Sequence, residues 1–117
     1  TDARAQLTGA SSSTRGIFAG GNDGPAATNI VDVIDYVTIA TESNAIDFGN
    51  LTAARVVGSS SNNIRVINAG GFVSSALVNT IDFVTIATTG NATDFGDLVT
   101  AGSHMIHCSD AHGGLIQ

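Results

Sequence analysis

Apolar and polar residues alternate over short stretches of this chain, which is the pattern of β-strands. Along 33–39 and 80–86 both alternating sets are largely apolar, as is typical of buried strands whose sheet has neighbours on both faces. Shorter strands are predicted at 16–19, 66–69, 44–48, 91–95 and after Arg4 and Arg55. Clusters of Gly, Asn, Asp and Ser predict turns at 20–24, 58–63 and 89–91. No segment keeps a 3.6-residue apolar period, so we expect an all-β fold with four antiparallel strands per repeated unit.

These predicted strands belong to a sequence that occurs twice. Val-Ile-Asp-Tyr-Val-Thr-Ile-Ala-Thr at 33–41 returns as Thr-Ile-Asp-Phe-Val-Thr-Ile-Ala-Thr at 80–88, and Ala-Gly-Gly at 19–21 returns at 69–71. The period is about 47 to 51 residues, constant within segments and variable between them, as expected of strands joined by loops. We therefore divide one repeat domain, 1–117, into unit 1 (1–50), unit 2 (51–97) and a partial unit 3 (98–117).

Composition narrows the classes of partner. The net charge is −6 with only four Arg and no Lys, which argues against a nucleic-acid partner because few phosphates could be neutralised. No apolar run approaches the roughly 20 residues of a membrane span, so we expect a soluble protein. The chain lacks an initiator Met and a signal peptide, and we expect it to be a piece of something larger. The single Cys108 excludes an intrachain disulfide.

The repeated landmarks resemble the kelch repeat, in which a diglycine closes an apolar strand, an acid stands beside an aromatic residue, and a further aromatic precedes Leu and Arg. The matching positions are Gly20, Gly21, Asp35, Phe48 and Arg55, then Gly70, Gly71, Asp82 and Phe95. The resemblance implies that each unit forms one four-stranded blade of a β-propeller, about 2.4 blades in this chain. The usual Trp is Phe here, and Gly102 stands where a third Arg belongs.

Segments 11–21 and 91–98 also resemble repeat proteins of tailed, notably marine, bacteriophages that are taken for virion or tail-fibre components. This resemblance implies a non-enzymatic structural or binding module, in a virion or outside the cell, whose loops serve assembly or host-surface recognition. The alternative is a glycan-binding lectin or carbohydrate-active enzyme on the same scaffold, because the loops are rich in Asn, Ser and Thr. The chain has five Phe and one Tyr but no Trp, so rings for stacking on a sugar are few.

About 2.4 blades would leave two large apolar end faces, whereas propellers close with about 4–8 blades. One explanation is that the chain is cut from a longer propeller. The other is a head-to-tail ring of copies, a trimer of about seven blades ahead of a dimer of about five, with 98–117 completing a blade across each joint. Other virion proteins and a cell-surface glycan are the remaining expected partners.

Residues near the C-terminus offer the one metal-like cluster of the sequence. On a strand, the side chains of His104, Cys108, Asp110 and His112 would project to one side, and Zn²⁺ accepts all three ligand types. No second ligand group lies elsewhere, so we expect no metal and no cofactor. Gly102-Ser-His-Met105 resembles a cloning scar, but the repeat alignment, which places Gly102 opposite Arg55 and His112 opposite Arg65, favours native, divergent sequence.

Asp35 and Asp82 lie on otherwise apolar strands, where a carboxylate is costly unless it is hydrogen-bonded. A structural interpretation pairs them with turn N–H groups or with an Arg, for which Arg4, Arg15, Arg55 and Arg65 are candidates. A functional interpretation makes them a pair of acids for hydrolysis. Because the same acid recurs at the same place in each unit, we favour structure and predict no catalytic residues.

Overall fold

The first half of the chain folds into a four-stranded antiparallel sheet. The computed structural model describes residues 3–24, 29–105 and 108–109. Its first four strands are β1 (Thr8–Ser11), β2 (Arg15–Ala19), β3 (Val33–Thr38) and β4 (Ile46–Asn50). They pair in chain order, so each strand lies beside the one before it. The all-β fold class that the alternation predicted is confirmed for the described residues.

The second half forms a sheet of five strands. They are β5 (Val56–Ser61), β6 (Arg65–Val73), β7 (Ala76–Leu77), β8 (Thr80–Thr85) and β9 (Thr93–Asp97). The order β5-β6-β8-β9 repeats the first sheet, and β7 is added to the end of β6. The prediction of four strands is wrong here, because β6 continues past the diglycine and turns back, which pairs Phe72 with Leu77. Among the residues described, no helix is long and apolar enough to cross a membrane.

Several predicted boundaries are displaced. The last strand of each sheet begins two residues later than predicted, so Asp47 and Asp94 lie inside strands. In the second sheet the preceding loop instead reaches the first sheet, where Ala92 donates its N–H to the carbonyl of Asn50. The turn predicted at 58–63 begins only at Asn62, since β5 runs to Ser61.

Both sheets contain the same β-bulge next to the acid of the central strand. Ile34 lies opposite Gly49 and Asp35 opposite Asp47, which leaves Phe48 without a partner in the ladder. The second sheet skips Phe95 in the same way. A bulge bends the strand and re-aims the extra side chain. The bulges therefore give Phe48 and Phe95 equivalent positions in the two sheets.

One apolar cluster joins the two sheets. Its buried members are Ile17, Ala19, Ile34, Phe48, Leu51, Val57, Val66, Val84 and Ile86. The prediction that 33–39 is buried throughout is wrong at its end, because Ile39 is exposed whereas Ile86, its counterpart, is buried. The cause is the neighbouring sheet: Ile86 belongs to the apolar cluster that joins the sheets and its carbonyl accepts from Arg15 of the first sheet, whereas no described element covers Ile39. The core is thus formed largely between sheets.

The joint between units is made by backbone groups at each diglycine. Gly21 donates its N–H to the carbonyl of Arg55 at 3.2 Å, and Gly71 donates to the carbonyl of Gly102 at 2.7 Å. Gly20 and Gly70 share a φ of +62°, in the left-handed region that favours glycine. A Cβ on Gly20 would lie 2.3 Å from the oxygen of Arg55. The next unit therefore sits where any side chain would be.

We predict that Gly20→Ala lowers the free energy of unfolding by at least about 2 to 4 kcal/mol, because it adds left-handed strain and pushes on a backbone oxygen. Gly9→Ala is the matched control, since its Cβ would meet only the carbonyl of Ile17 at 3.9 Å. The control should change stability by no more than about 0.5 kcal/mol. Urea denaturation measures both, and equal effects of the two substitutions would contradict the account of the joint.

Candidate functional site

Each sheet contains one buried ion pair between an Arg that precedes its first strand and the Asp of its central strand. Arg4 pairs with Asp35 through Nη2, and Arg55 Nη2 lies 2.9 Å from Asp82 Oδ2. Both side chains of each pair are almost fully buried. Of the four Arg that the sequence offered, the two preceding a first strand form the pairs.

The two remaining Arg stack on aromatic rings. The guanidinium of Arg15 lies 4.5 Å from the ring centroid of Tyr36, and that of Arg65 lies 4.7 Å from the centroid of Phe83. A cation over a ring face is stabilised by the ring quadrupole. Arg15 also donates from Nη1 to the carbonyl of Ile86 at 2.7 Å, which links the first sheet to the second.

The carboxylate of Asp82 accepts three hydrogen bonds from two residues besides its ion pair. Thr52 donates to Oδ2 from its N–H at 3.0 Å and from its hydroxyl at 2.6 Å, while Asn68 Nδ2 donates to Oδ1 at 2.9 Å. Arg55 Nη1 donates to the same hydroxyl at 3.3 Å, and its Nη2 contacts Oδ2 outside hydrogen-bond geometry. A charged group enclosed in this way is stabilised but inaccessible. The geometry favours the structural interpretation over an acid for hydrolysis.

Asp35 has a less complete environment. Arg4 donates from its other terminal nitrogen, Nη1, to the carbonyls of Gly20 and Val33, at 2.9 and 2.8 Å. Oδ1 of Asp35 is buried and has no hydrogen-bond partner. The cause is one residue: Phe18 lies opposite Asp35 in the ladder, where Asn68 lies opposite Asp82.

The two repeated phenylalanines occupy equivalent positions in different surroundings. Phe48 packs edge-on against Tyr36 at 5.8 Å, and Phe95 packs in the same way against Phe83 at 6.0 Å. Phe48 is buried by the second sheet, whereas Phe95 is exposed. The four glycines of the resemblance lie at the joints described above, so the predicted repeat positions divide into joints, ion pairs and these rings.

The metal-like cluster is only partly within the described residues. His104 and Cys108 are both exposed, and His104 Nδ1 lies 3.0 Å from the hydroxyl of Ser103. Asp110 and His112 lie outside the described residues. In the described ranges, no group of three or more His, Cys, Asp or Glu side chains is placed to hold a metal ion.

Two of the clefts along the second sheet differ in their chemistry. A polar cleft of about 350 Å³ lies along the β8–β9 turn and is lined by Phe83, Thr85, Thr88, Thr89, Gly90, Asn91 and Thr93. A more apolar cleft of about 280 Å³ is lined by Gln6, Val56, Phe72, Leu77, Ser103 and His104. The first offers hydroxyl and amide groups, and the second offers mainly apolar surface.

Sequence reasoning missed Thr52, Asn68 and Phe18 as determinants of the two acid centres. A usable signal existed for Asn68, since an amide between Ile67 and Ala69 on an apolar strand needs a partner.

A scan against protein-family models finds no match for this chain, and a search of curated proteins finds none either.

We predict that Arg55→Met lowers the free energy of unfolding by about 3 to 5 kcal/mol, because it leaves a buried carboxylate without its cation. Adding Asp82→Asn should restore part of the loss by removing that charge. Chemical denaturation of the two variants measures the difference. A double variant no more stable than Arg55→Met would show that lost packing, not an unpaired charge, sets the cost.

We also predict that Phe18→Asn is more stable than Phe18→Ala by about 1 to 3 kcal/mol, because the amide can donate to the unpartnered oxygen of Asp35. Both variants lose the ring, so the comparison isolates the new hydrogen bond. In an Asp35→Ala background the difference should vanish. If it persists there, the amide acts through another group.

Proposed function

We propose that this chain is a non-enzymatic structural and binding module built from β-propeller-like blades, associated with a virion or a phage tail and acting outside the cell. The observation that carries the proposal is that both joints follow one rule. The N–H of the second glycine bonds the carbonyl of residue 55 at the first joint and of residue 102 at the second. Because the same backbone hydrogen bond joins each unit to the next, further units can be added in the same way, which suits extension and assembly.

The side chains support a structural role for the repeated acids. Asp35 and Asp82 are each buried beside an Arg of their own unit. An acid pair for glycoside hydrolysis must flank a substrate from two sides. Neither carboxylate lines the polar cleft or the more apolar cleft. In this proposal the two acids therefore stabilise the fold.

The module assembles with copies of itself in this proposal, as a closed trimer of about seven blades ahead of a dimer of about five. Support comes from the opening of unit 3, where Leu98 and Gly102 are seated on the second sheet as Leu51 and Arg55 are on the first. The remainder of that unit, 106–107 and 110–117, lies outside the described residues.

Glycan recognition is the second candidate, favoured by the polar cleft along the β8–β9 turn. Its Thr and Asn side chains suit sugar hydroxyls. Its ring, Phe83, already has Arg65 over one face, which limits stacking on that side. A glycan array with the purified protein separates the candidates: saturable binding of a defined sugar, lost in Asn91→Ala, would support the lectin, and an array without binding would favour assembly.

We predict that light scattering at micromolar concentration gives a mass of about 35 kDa, three times the 11.7 kDa of one chain. The physical reason is that apolar end faces are covered by association. Removing 98–117 should lower the mass, because that segment would complete a blade across each joint. A stable, folded monomer would defeat the ring, as would unchanged assembly of the shortened chain.

A further inference from the structure

The joint inside the chain identifies which groups cover an end face. On the first sheet, Phe48 accepts a hydrogen bond at its carbonyl from the N–H of Gly90 at 2.8 Å, and Asn50 accepts one from Ala92 at 2.7 Å. The N–H of Asn50 donates to Asn91 Oδ1 at 3.1 Å. Three consecutive residues of the β8–β9 turn thus pair with the outer strand β4 of the preceding unit.

The repeat counterparts of these joint residues lie at the two ends of the molecule, one set at each end, where they do not contact each other. Repeat alignment places Phe95, Gly96 and Asp97 where Phe48, Gly49 and Asn50 stand. These three, with Arg65 as the counterpart of Arg15, form what we call the tail surface. The head surface is Ile39 with the turn Ser43, Asn44 and Ala45, the counterparts of Ile86 and of Gly90, Asn91 and Ala92.

Burial is reciprocal between the joint and the ends. Phe48 is 2% exposed and Phe95 is 58% exposed, whereas Ile86 is 1% exposed and Ile39 is 58% exposed. Each residue that the joint buries in one unit is bare in the unit that lacks a neighbour on that side. What covers such a face is therefore visible in the molecule itself: another unit of this chain.

The glycines of β4 and β9 give independent support. A Cβ on Gly49 would lie 2.4 Å from the carbonyl oxygen of Gly90, so the joint requires glycine there. Gly96 has a similar φ of +144°, yet a Cβ on it would meet nothing within 4 Å. The tail surface thus has the same open backbone that the joint uses for close approach.

We infer that the tail surface of one copy docks the head surface of a second copy, which rests on the assembly in the proposed function and specifies its contact at the outer strands. At the diglycine of the second sheet, Gly102 of the same chain already takes the place that Arg55 has at the internal joint. The carbonyls of Phe95 and Asp97 accept from the N–H groups of the second copy's Ser43 and Ala45. The N–H of Asp97 donates to the Asn44 side chain, and Arg65 donates to the carbonyl of Ile39. All four bonds are the counterparts of bonds in the internal joint. Asp97 replaces Asn50 without altering them, because Asn50 contributes only its backbone N–H and carbonyl.

The contact is heterologous, since it joins two different surfaces, and each copy keeps one free surface of each kind until a ring closes. The described opening of unit 3 bonds near the diglycine, where Gly71 donates to Gly102, and at Ser109, which donates to the carbonyl of Ser61 and lines a cleft of about 320 Å³ with Arg65 and Phe95. Phe95 is nevertheless 58% exposed, so more than half of its surface is accessible to a second copy.

Two charge insertions test this inference by complementation. Phe95→Asp breaks the tail surface and Ile39→Asp breaks the head surface, and both sites are exposed in the single chain, so each variant should fold. Alone, each variant should have the mass of a monomer. Mixed in equal amounts, they should form a heterodimer of about 23 kDa, because each supplies the surface that the other lacks.

Leu77→Asp is the control, since Leu77 is equally exposed but lies on β7, at the opposite end of β8 from the turn. It should assemble as the unaltered chain does. Asn44→Ala, a milder change, should weaken association about five- to tenfold through one lost hydrogen bond. Circular dichroism of every variant checks that the sheets are intact.

Three results would overturn the inference. An Ile39→Asp protein that still dimerises while Phe95→Asp does not would indicate a like-to-like contact. A mixture that stays monomeric, while the unaltered chain remains a trimer, would place the contact elsewhere and leave the proposed ring standing. An unaltered chain that is monomeric would remove both the contact and the ring, whereas the glycan array reports on binding independently of either.

Discussion

The close approach of one unit's backbone to the diglycine of the unit before it is the constraint on which the rest of the structure depends. The oxygen of residue 55 occupies the place where a side chain on Gly20 would begin. Because the left-handed φ and the missing Cβ are both required there, the position tolerates only glycine. The N–H of Gly21 then fixes the distance between the sheets, and the apolar cluster fills the space that this distance leaves.

Position 55 carries two roles that the partial unit 3 separates. The carbonyl of Arg55 closes the joint with the preceding unit, while its side chain neutralises Asp82 in its own unit. At position 102 only the carbonyl role remains, because Gly102 has no side chain, and the hydrogen bond from Gly71 is still formed. Joint formation therefore does not depend on the buried ion pair. The pair instead fixes the start of a unit's first strand against its own central strand, at the desolvation cost that any buried charge incurs.

The sequence predicted the features that depend on local pattern and repetition. Alternation and repetition located part of every described strand except β7, and the recurrence of Asp35 as Asp82 indicated buried carboxylates that need partners. It could not choose among four arginines, since that choice depends on which strands become neighbours in the sheet. It also missed the added strand β7 and the later start of β4 and β9. For β9, the preceding loop bonds the N–H groups of Gly90 and Ala92 to the other sheet rather than to its own. Phe18 and Asn68 occupy matching positions with different chemistry, and only the ladder register reveals that one leaves a carboxylate oxygen unpartnered.

In a repeat protein the stability of a unit depends on its neighbours, and a comparison of Phe48 with Phe95 illustrates this dependence. Phe48 and Phe95 share their bulge, their ring partner and their edge-on geometry, so the local sequence gives both the same conformation. Burying one such ring is worth roughly 1.5 to 3 kcal/mol, and that gain reaches only the unit with a sheet beside it. Ile39 at the other end lacks the same gain. Since a domain's net stability is only about 5 to 15 kcal/mol, a few uncovered side chains at each end are a large fraction of it. The same residue types are therefore buried by a neighbouring unit at the joint and exposed to solvent at both ends, so a unit without a neighbour lacks a stabilisation that a unit with one has.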